Sequence, residues 1–171
     1  MDYNITMNIK TKLKNFVKSK HFIICLLTIA FIIAVDMVTK IITDGKSIIF
    51  IDSLLNFTST HNYGGAYSIF SAYTLVLTIF SVIMIVGIIL YDIFLFDGEK
   101  NTLYTISISM ILGGAIGNLI DRFFLGYVRD FLELKFISFP IFNFADIMLT
   151  VGCFLFAIFI IFVYASKKRE T

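Results

Sequence analysis

Proline occurs once in 171 residues and glycine ten times, which excludes a collagen-like chain, and no long polar tract marks a disordered one. Charge is scarce as well: 15% of residues are charged, against roughly 25% in a typical soluble domain, while 58% are hydrophobic. With a mean hydropathy of +0.92, this composition excludes an ordinary soluble globule and implies a membrane protein. The two histidines, His21 and His61, have no conventional zinc-ligand spacing, and neither is read with a cysteine partner, so no metal is expected. No G-x-S-x-G nucleophile motif and no phosphate-binding glycine loop occur, and no cofactor is expected.

The charge that is present lies unevenly. Lys10, Lys12, Lys14, Lys18 and Lys20 precede the first apolar run, and Lys167, Lys168 and Arg169 follow the last, although the net charge is only +2. Basic flanks mark the cytoplasmic side of a span, so both termini are expected inside and the number of spans even. Ile9, Leu13, Phe16 and Val17 recur at helical spacing among these lysines, which suits a short basic helix on anionic lipid and not a nucleic-acid-binding tail. The same start has the form of a secretory signal. Around Ile23, Ile24 and Cys25, however, no small residues prepare a cleavage site, so a retained first span is expected. Cys25 and Cys153 sit in runs that begin at opposite faces, which argues against a disulfide.

Crossing a bilayer takes about 20 apolar residues. Three uncharged runs qualify, Tyr73–Tyr91, Asn101–Ile120 and Ile147–Ser166, and a fourth, Phe22–Thr43, is interrupted only by Asp36 and Lys40. The expected fold is therefore all-α and transmembrane: a four-span helical bundle over residues 1–171, with N- and C-termini cytoplasmic and the short turn Asp92–Lys100 on the same side. Asp44–Ala72 and Asp121–Asp146 then face outward. Ser47–Ile51 and Leu54–Thr60, rich in β-branched and aromatic residues, predict a small hairpin, and Gly64 and Gly65 a turn, so a small β-rich extracytoplasmic cradle is expected. Val128–Ile137 alternates, with Arg129, Glu133 and Lys135 on one face and Val128, Leu132, Leu134 and Phe136 on the other. Asp130 falls on the apolar face, the wrong side for an idle carboxylate.

Ionisable groups within or beside apolar spans are costly and default to functional candidates. Asp36 and Lys40, four apart on one helix, can pair with each other, and a structural ion pair accounts for both. Gly113 and Gly117 form a small-xxx-small pair that helix packing alone explains. Gly114, Asn118, Asp121 and Arg122 share a face at the outer end of the third long run, either lining a groove or, for Asp121 and Arg122, anchoring the helix at the interface. Asn143 is a good N-cap, and Asp146 at the third helical position completes a capping-box variant. Alone, Asp146 reads as a capping residue. A second carboxylate, Asp130, delivered to the same outer face alters that reading, because two close carboxylates in a low-dielectric site divide into an acid and a base. Such a pair can hydrolyse an amide through an activated water. Asp146, in the first turn of a helix, is the expected initial base, and Asp130, on an apolar face, the expected initial acid.

Five ordered blocks carry a resemblance: Asp36-Met37-Val38-Thr39-Lys40, Asn62 to Ser68, Gly113 to Arg122, Val128-Arg129-Asp130-Phe131 and Phe142-Asn143-Phe144-Ala145-Asp146. Together they resemble the lipoprotein signal peptidases (signal peptidase II), bacterial inner-membrane aspartyl proteases. The resemblance implies removal of the signal peptide from diacylglyceryl-modified prolipoproteins just before the lipidated cysteine. It implies Asp130 and Asp146 as the catalytic pair, supported by Asp36, Lys40, Asn62, Gly114, Asn118, Arg122, Asn143 and Ala145. It further implies an active site at the extracytoplasmic face, contact with membrane lipid and inhibition by globomycin-like cyclic peptides. A monomer that binds no nucleic acid is expected. Gly65, Tyr67 and Arg129 depart from the family pattern and bear on substrate preference. Intramembrane Asp36, Lys40, Asp121 and Arg122 leave a small proton-coupled transporter as the alternative, and a non-catalytic scaffold protein as a third reading.

Overall fold

The computed structural model describes residues 9–64, 74–94 and 101–169. Gly65, Tyr67, the first residue of the expected Tyr73–Tyr91 span and most of the expected turn over 92–100 lie outside them. Among the described residues, five helices, α1 (Ile9–Val17), α2 (Lys20–Thr43), α3 (Thr74–Phe94), α4 (Thr102–Leu125) and α5 (Phe144–Arg169), accompany three strands, β1 (Ser47–Ile51), β2 (Leu55–Asn62) and β3 (Val128–Leu134). The last four helices are each long and apolar enough to cross a membrane. At 1.5 Å per residue, the 24 residues of α2 reach about 36 Å.

Local chemistry sets the helix ends. Ser19 and Asn101 occupy the N-caps of α2 and α4, where their side chains accept from the Phe22 and Tyr104 N–H groups. Such caps satisfy donors that a helix start leaves open. At the far end of α4, Gly126 adopts the left-handed conformation (φ 79°) and donates its N–H to the Arg122 carbonyl at 3.2 Å. The helix therefore continues five residues beyond the expected Ile120, carrying Asp121 and Arg122 on its last turns, and the chain enters β3 directly. Likewise α5 begins at Phe144, not Ile147.

Helix α4 lies at the centre. Its apolar span is 56% buried, whereas the other three are no more than 17% buried and present Leu, Ile, Val and Phe outward, as lipid-facing helices do. Glycine permits the close packing. A Cβ on Gly113 would meet Ile32 of α2 at 3.0 Å, and one on Gly152 would meet the Ile111 amide of α4 at 2.9 Å. Tyr104, Ile108, Leu112, Ile85 and Phe159 form the apolar core.

One end of the bundle is closed by a buried polar clasp. His21 Nε2 lies 2.7 Å from Asp92 Oδ2, His21 Nδ1 lies 2.8 Å from Thr105 Oγ1, and the Tyr104 hydroxyl donates to Asp92 Oδ1 at 3.0 Å. The start of α2, the end of α3 and the start of α4 meet here. Sequence reading leaves His21 without a cysteine neighbour; the helix corrects this, because residues four apart share a face and Cys25 Sγ stands 3.6 Å from His21 Nε2. Both described cysteines are free thiols, as expected.

The opposite end carries the antiparallel sheet β1-β2-β3. The strands agree with the expected hairpin and alternating segment, except that β3 stops at Leu134. Beyond it the chain turns back, and Phe142 exchanges backbone hydrogen bonds with Leu132 at 2.8 and 3.1 Å. This return aims Asn143 and the start of α5 at the strand.

Candidate active site

The sheet, the end of α4 and the start of α5 enclose a cavity of about 470 Å³. Alternation along β3 turns Val128, Asp130 and Leu134 toward it, and helix periodicity turns Asn118 and Arg122 of α4 the same way. Asp146 enters from the first turn of α5. One side of the cavity is thus polar, with Asn62, Asn118, Arg122, Asp130 and Asp146; the other is apolar, with Leu134, Phe139, Ile141, Phe142 and Ile147 among its residues.

Amide side chains connect the two carboxylates. Asn62 Nδ2 donates to Asp130 Oδ2 at 2.8 Å, and Asn143 Nδ2 donates to Asp130 Oδ1 at 2.6 Å and to Asn118 Oδ1 at 3.0 Å. Asn118 Nδ2 in turn donates to Asp146 Oδ1 at 2.7 Å. The capping box is reciprocal: the Asp146 N–H donates to Asn143 Oδ1 at 2.9 Å, and the Asn143 N–H to Asp146 Oδ2 at 3.2 Å. Asp146 therefore both caps its helix and presents an oxygen to the cavity. Burial, and then the charge of Asp146, push the Asp130 carboxyl up to about 7 from its ordinary 3.8.

Behind this layer lies an ionic one. Asp36, Lys40 and Asp121 are buried almost completely. Lys40 Nζ lies 2.7 Å from Asp36 Oδ2 and 3.4 Å from Asp121 Oδ2, and it donates to Asn118 Oδ1 at 3.0 Å. The i,i+4 pair is present as expected. Asp36 Oδ2 has no aligned hydrogen bond, so it relies on the adjacent ammonium charge. Asp36 Oδ1 accepts the Ala145 N–H at 2.9 Å, satisfying a free donor in the first turn of α5.

Asp121 and Arg122 do not form a joint anchor at the interface. Consecutive helical residues diverge by about 100°, so Arg122 lines the cavity while Asp121 turns to Lys40 and Arg129. Arg129 Nη2 donates to Asp121 Oδ1 at 2.7 Å, and the Arg129 backbone N–H to Asp121 Oδ2 at 3.0 Å. Arg129 is a buttress that ties β3 to α4, a role the sequence reading missed. The available signal was its place on the strand face opposite Asp130, within reach of a helix end that a single glycine turn separates from it.

A family model described as signal peptidase (SPase) II matches residues 28–162, which contain every one of these groups. The chain belongs to the signal peptidase II family. The chain is 38% identical over 153 residues to a lipoprotein signal peptidase of Lactobacillus johnsonii, a match covering 85% of this chain and 96% of that protein. It is 35% identical over 159 residues to the protein of that name from Staphylococcus aureus, covering 88% and 96%. A solved structure described as a bacterial membrane enzyme superposes with a TM-score of 0.76 at 33% identity, covering 84% of this chain and 90% of that one. The chain is therefore a multi-pass membrane peptidase, and the transporter and scaffold readings fall away.

Gly114 offers a direct check on how close packing against α4 positions α5. A Cβ there would lie 2.4 Å from the Ala145 carbonyl oxygen and 2.9 Å from the Leu149 amide, both backbone atoms. Gly114→Ala must push the start of α5, and Asp146 with it, away from α4. A displacement near 1 Å costs catalysis roughly a hundredfold. The expected result is that loss of turnover with helical circular dichroism retained.

Proposed function

We propose that this member of the signal peptidase II family removes the signal peptide from diacylglyceryl-modified prolipoproteins, cutting just before the lipidated cysteine, with Asp130 and Asp146 as its catalytic pair. The observation that carries this reading is the shared cavity: two carboxylates from different elements, joined through Asn143 and Asn118, beside an apolar wall. Relatives named lipoprotein signal peptidase supply the substrate class.

In this mechanism a water sits between the carboxyl groups. Ionised Asp146 takes a proton as the water oxygen attacks the scissile carbonyl carbon, and neutral Asp130 protonates the carbonyl oxygen, giving a neutral gem-diol. Asp146 then passes its proton to the leaving nitrogen while Asp130 recovers one from the collapsing diol. The C–N bond breaks, yielding an acid and an amine. Asn62 and Asn143 hold Asp130, Asn118 holds Asp146, and Arg122 supplies positive charge facing the same space. The apolar wall, from Phe139 to Ile147, suits the acyl chains entering from the lipid, and the polar side suits the extended peptide. Globomycin-like cyclic peptides would occupy the same cavity. The two tails belong at the cytoplasmic side of a bacterial inner membrane, which puts the aspartates at the outer face of a single, monomeric domain.

Reconstituted enzyme given a diacylglyceryl prolipoprotein and its unlipidated counterpart tests this directly. Gel analysis should show the lipidated precursor shortened and the unlipidated one left largely intact. Equal cleavage of both would overturn the lipid requirement, and cleavage of neither would overturn the assignment.

A further inference from the structure

Helix α1 precedes the stretch that matches the family model, which starts at residue 28, and takes no part in the site. Its nine residues arrange themselves as i,i+4 rows, each on one face. Lys12 and Phe16 turn to the bundle. Lys12 Nζ donates to the Phe94 carbonyl at 3.3 Å, at the last residue of α3, and the Phe16 ring meets His21 edge-on with centroids 6.0 Å apart. Ser19 Oγ donates to the Phe16 carbonyl at 2.6 Å while accepting the Phe22 N–H, so the bend between α1 and α2 is held from both sides. The pose of α1 is therefore defined, and what it turns outward carries meaning.

Facing outward is the row Ile9, Leu13, Val17, exposed by 63%, 39% and 52%. The adjacent row holds Lys10 and Lys14, both exposed, and Lys18 follows in the turn just past the helix, exposed as well. An apolar stripe edged by ammonium groups, beside helices whose outward faces are apolar, matches an anionic bilayer surface in both shape and charge. We infer that α1 is a docking element for anionic phospholipid: Ile9, Leu13 and Val17 enter the headgroup–acyl boundary, Lys14 and Lys18 engage lipid phosphates, and the helix is seated against the His21–Asp92 clasp. This inference is independent of the catalytic assignment.

The chain contains no tryptophan, so Leu13→Trp places a single fluorophore on the stripe of the full-length protein. The protein is reconstituted in mixed phosphatidylcholine and phosphatidylglycerol vesicles, with bromine on the chains of one lipid or the other. The expected result is blue-shifted emission, with quenching by the brominated anionic lipid exceeding that by the neutral one at equal mole fraction by up to about fivefold, the factor that one surface lysine contributes. High salt, or Lys14→Gln with Lys18→Gln, should remove that excess. Equal quenching by the two lipids would overturn the anionic preference. Emission at a water-exposed wavelength would overturn the docking itself. Blue-shifted emission quenched by neither lipid and dependent on the protein-to-lipid ratio would assign the stripe to a second copy of the chain. Cleavage in neutral detergent, unchanged in the lysine variants, controls for folding.

Discussion

Asp130→Asn and Asp146→Asn enzymes, reconstituted with lipidated precursor, are each expected to lose turnover by about 10²–10⁴-fold, the contribution of a positioned acid or base, while remaining folded. Each change is nearly isosteric. In Asp146→Asn the side-chain oxygen can still accept from Asn118 or from the Asn143 N–H, so the start of α5 should keep most of its capping. Asp130→Asn keeps one acceptor for Asn62 or Asn143. Either variant within about tenfold of native turnover would sink the two-aspartate mechanism.

The pH dependence reports on Asp130. The Asp130 carboxyl is pushed up to about 7, so the acid form that protonates the carbonyl oxygen is lost as pH rises through that value. Native turnover should therefore decline along an alkaline limb centred near 7. Stability moves in the same direction for a related reason. The folded-state value lies above the ordinary 3.8, so across that interval the folded protein holds a proton that the unfolded chain has released. Stability from this group is fully present at low pH, falls as pH rises toward 7 and levels once Asp130 is ionised. Asp130→Asn has no proton to release, so thermal unfolding followed against pH should lose this component of the slope.

The parts of this architecture that were legible in the sequence depend on local pattern. Run length gave the four spans, alternation placed Asp130 on the apolar face of β3, and the Asn143-x-x-Asp146 spacing predicted a reciprocal cap that the hydrogen bonds match. The β1–β2 hairpin followed from β-branched runs flanked by turn residues. Contacts between distant elements were not legible. Nothing local tells that Asn143 reaches both Asp130 and Asn118, or that the 135–141 return supplies the apolar wall of the cavity. Arg129 read as an odd residue in a family block until the turn at Gly126 brought it beside Asp121. The Asp36–Lys40 pair was read correctly as a pair, yet its consequence lay out of reach, because Ala145 joins it from 109 residues away.

That consequence defines the second large effect. Lys40→Met is expected to destabilise the protein by about 3–5 kcal/mol, because it leaves Asp36 buried without the ammonium that pairs with it while Asp121 retains Arg129. Turnover should fall too, because Lys40 Nζ also donates to Asn118 Oδ1, the same amide that holds Asp146. A second change tells the two effects apart. Lys40→Met combined with Asp36→Asn removes the orphaned charge but keeps an oxygen that can accept the Ala145 N–H. Replacing both members of a buried pair costs far less than breaking it. Thermal unfolding in detergent should therefore show the double variant recovering most of the lost stability, while its cleavage rate stays low because Asn118 remains without its ammonium donor. A single Lys40→Met as stable as the native protein would show that Asp36 takes up a proton at little cost, and the ion layer would then not hold the start of α5. Full recovery of turnover in the double variant would place Asn118 under the control of Asn143 alone.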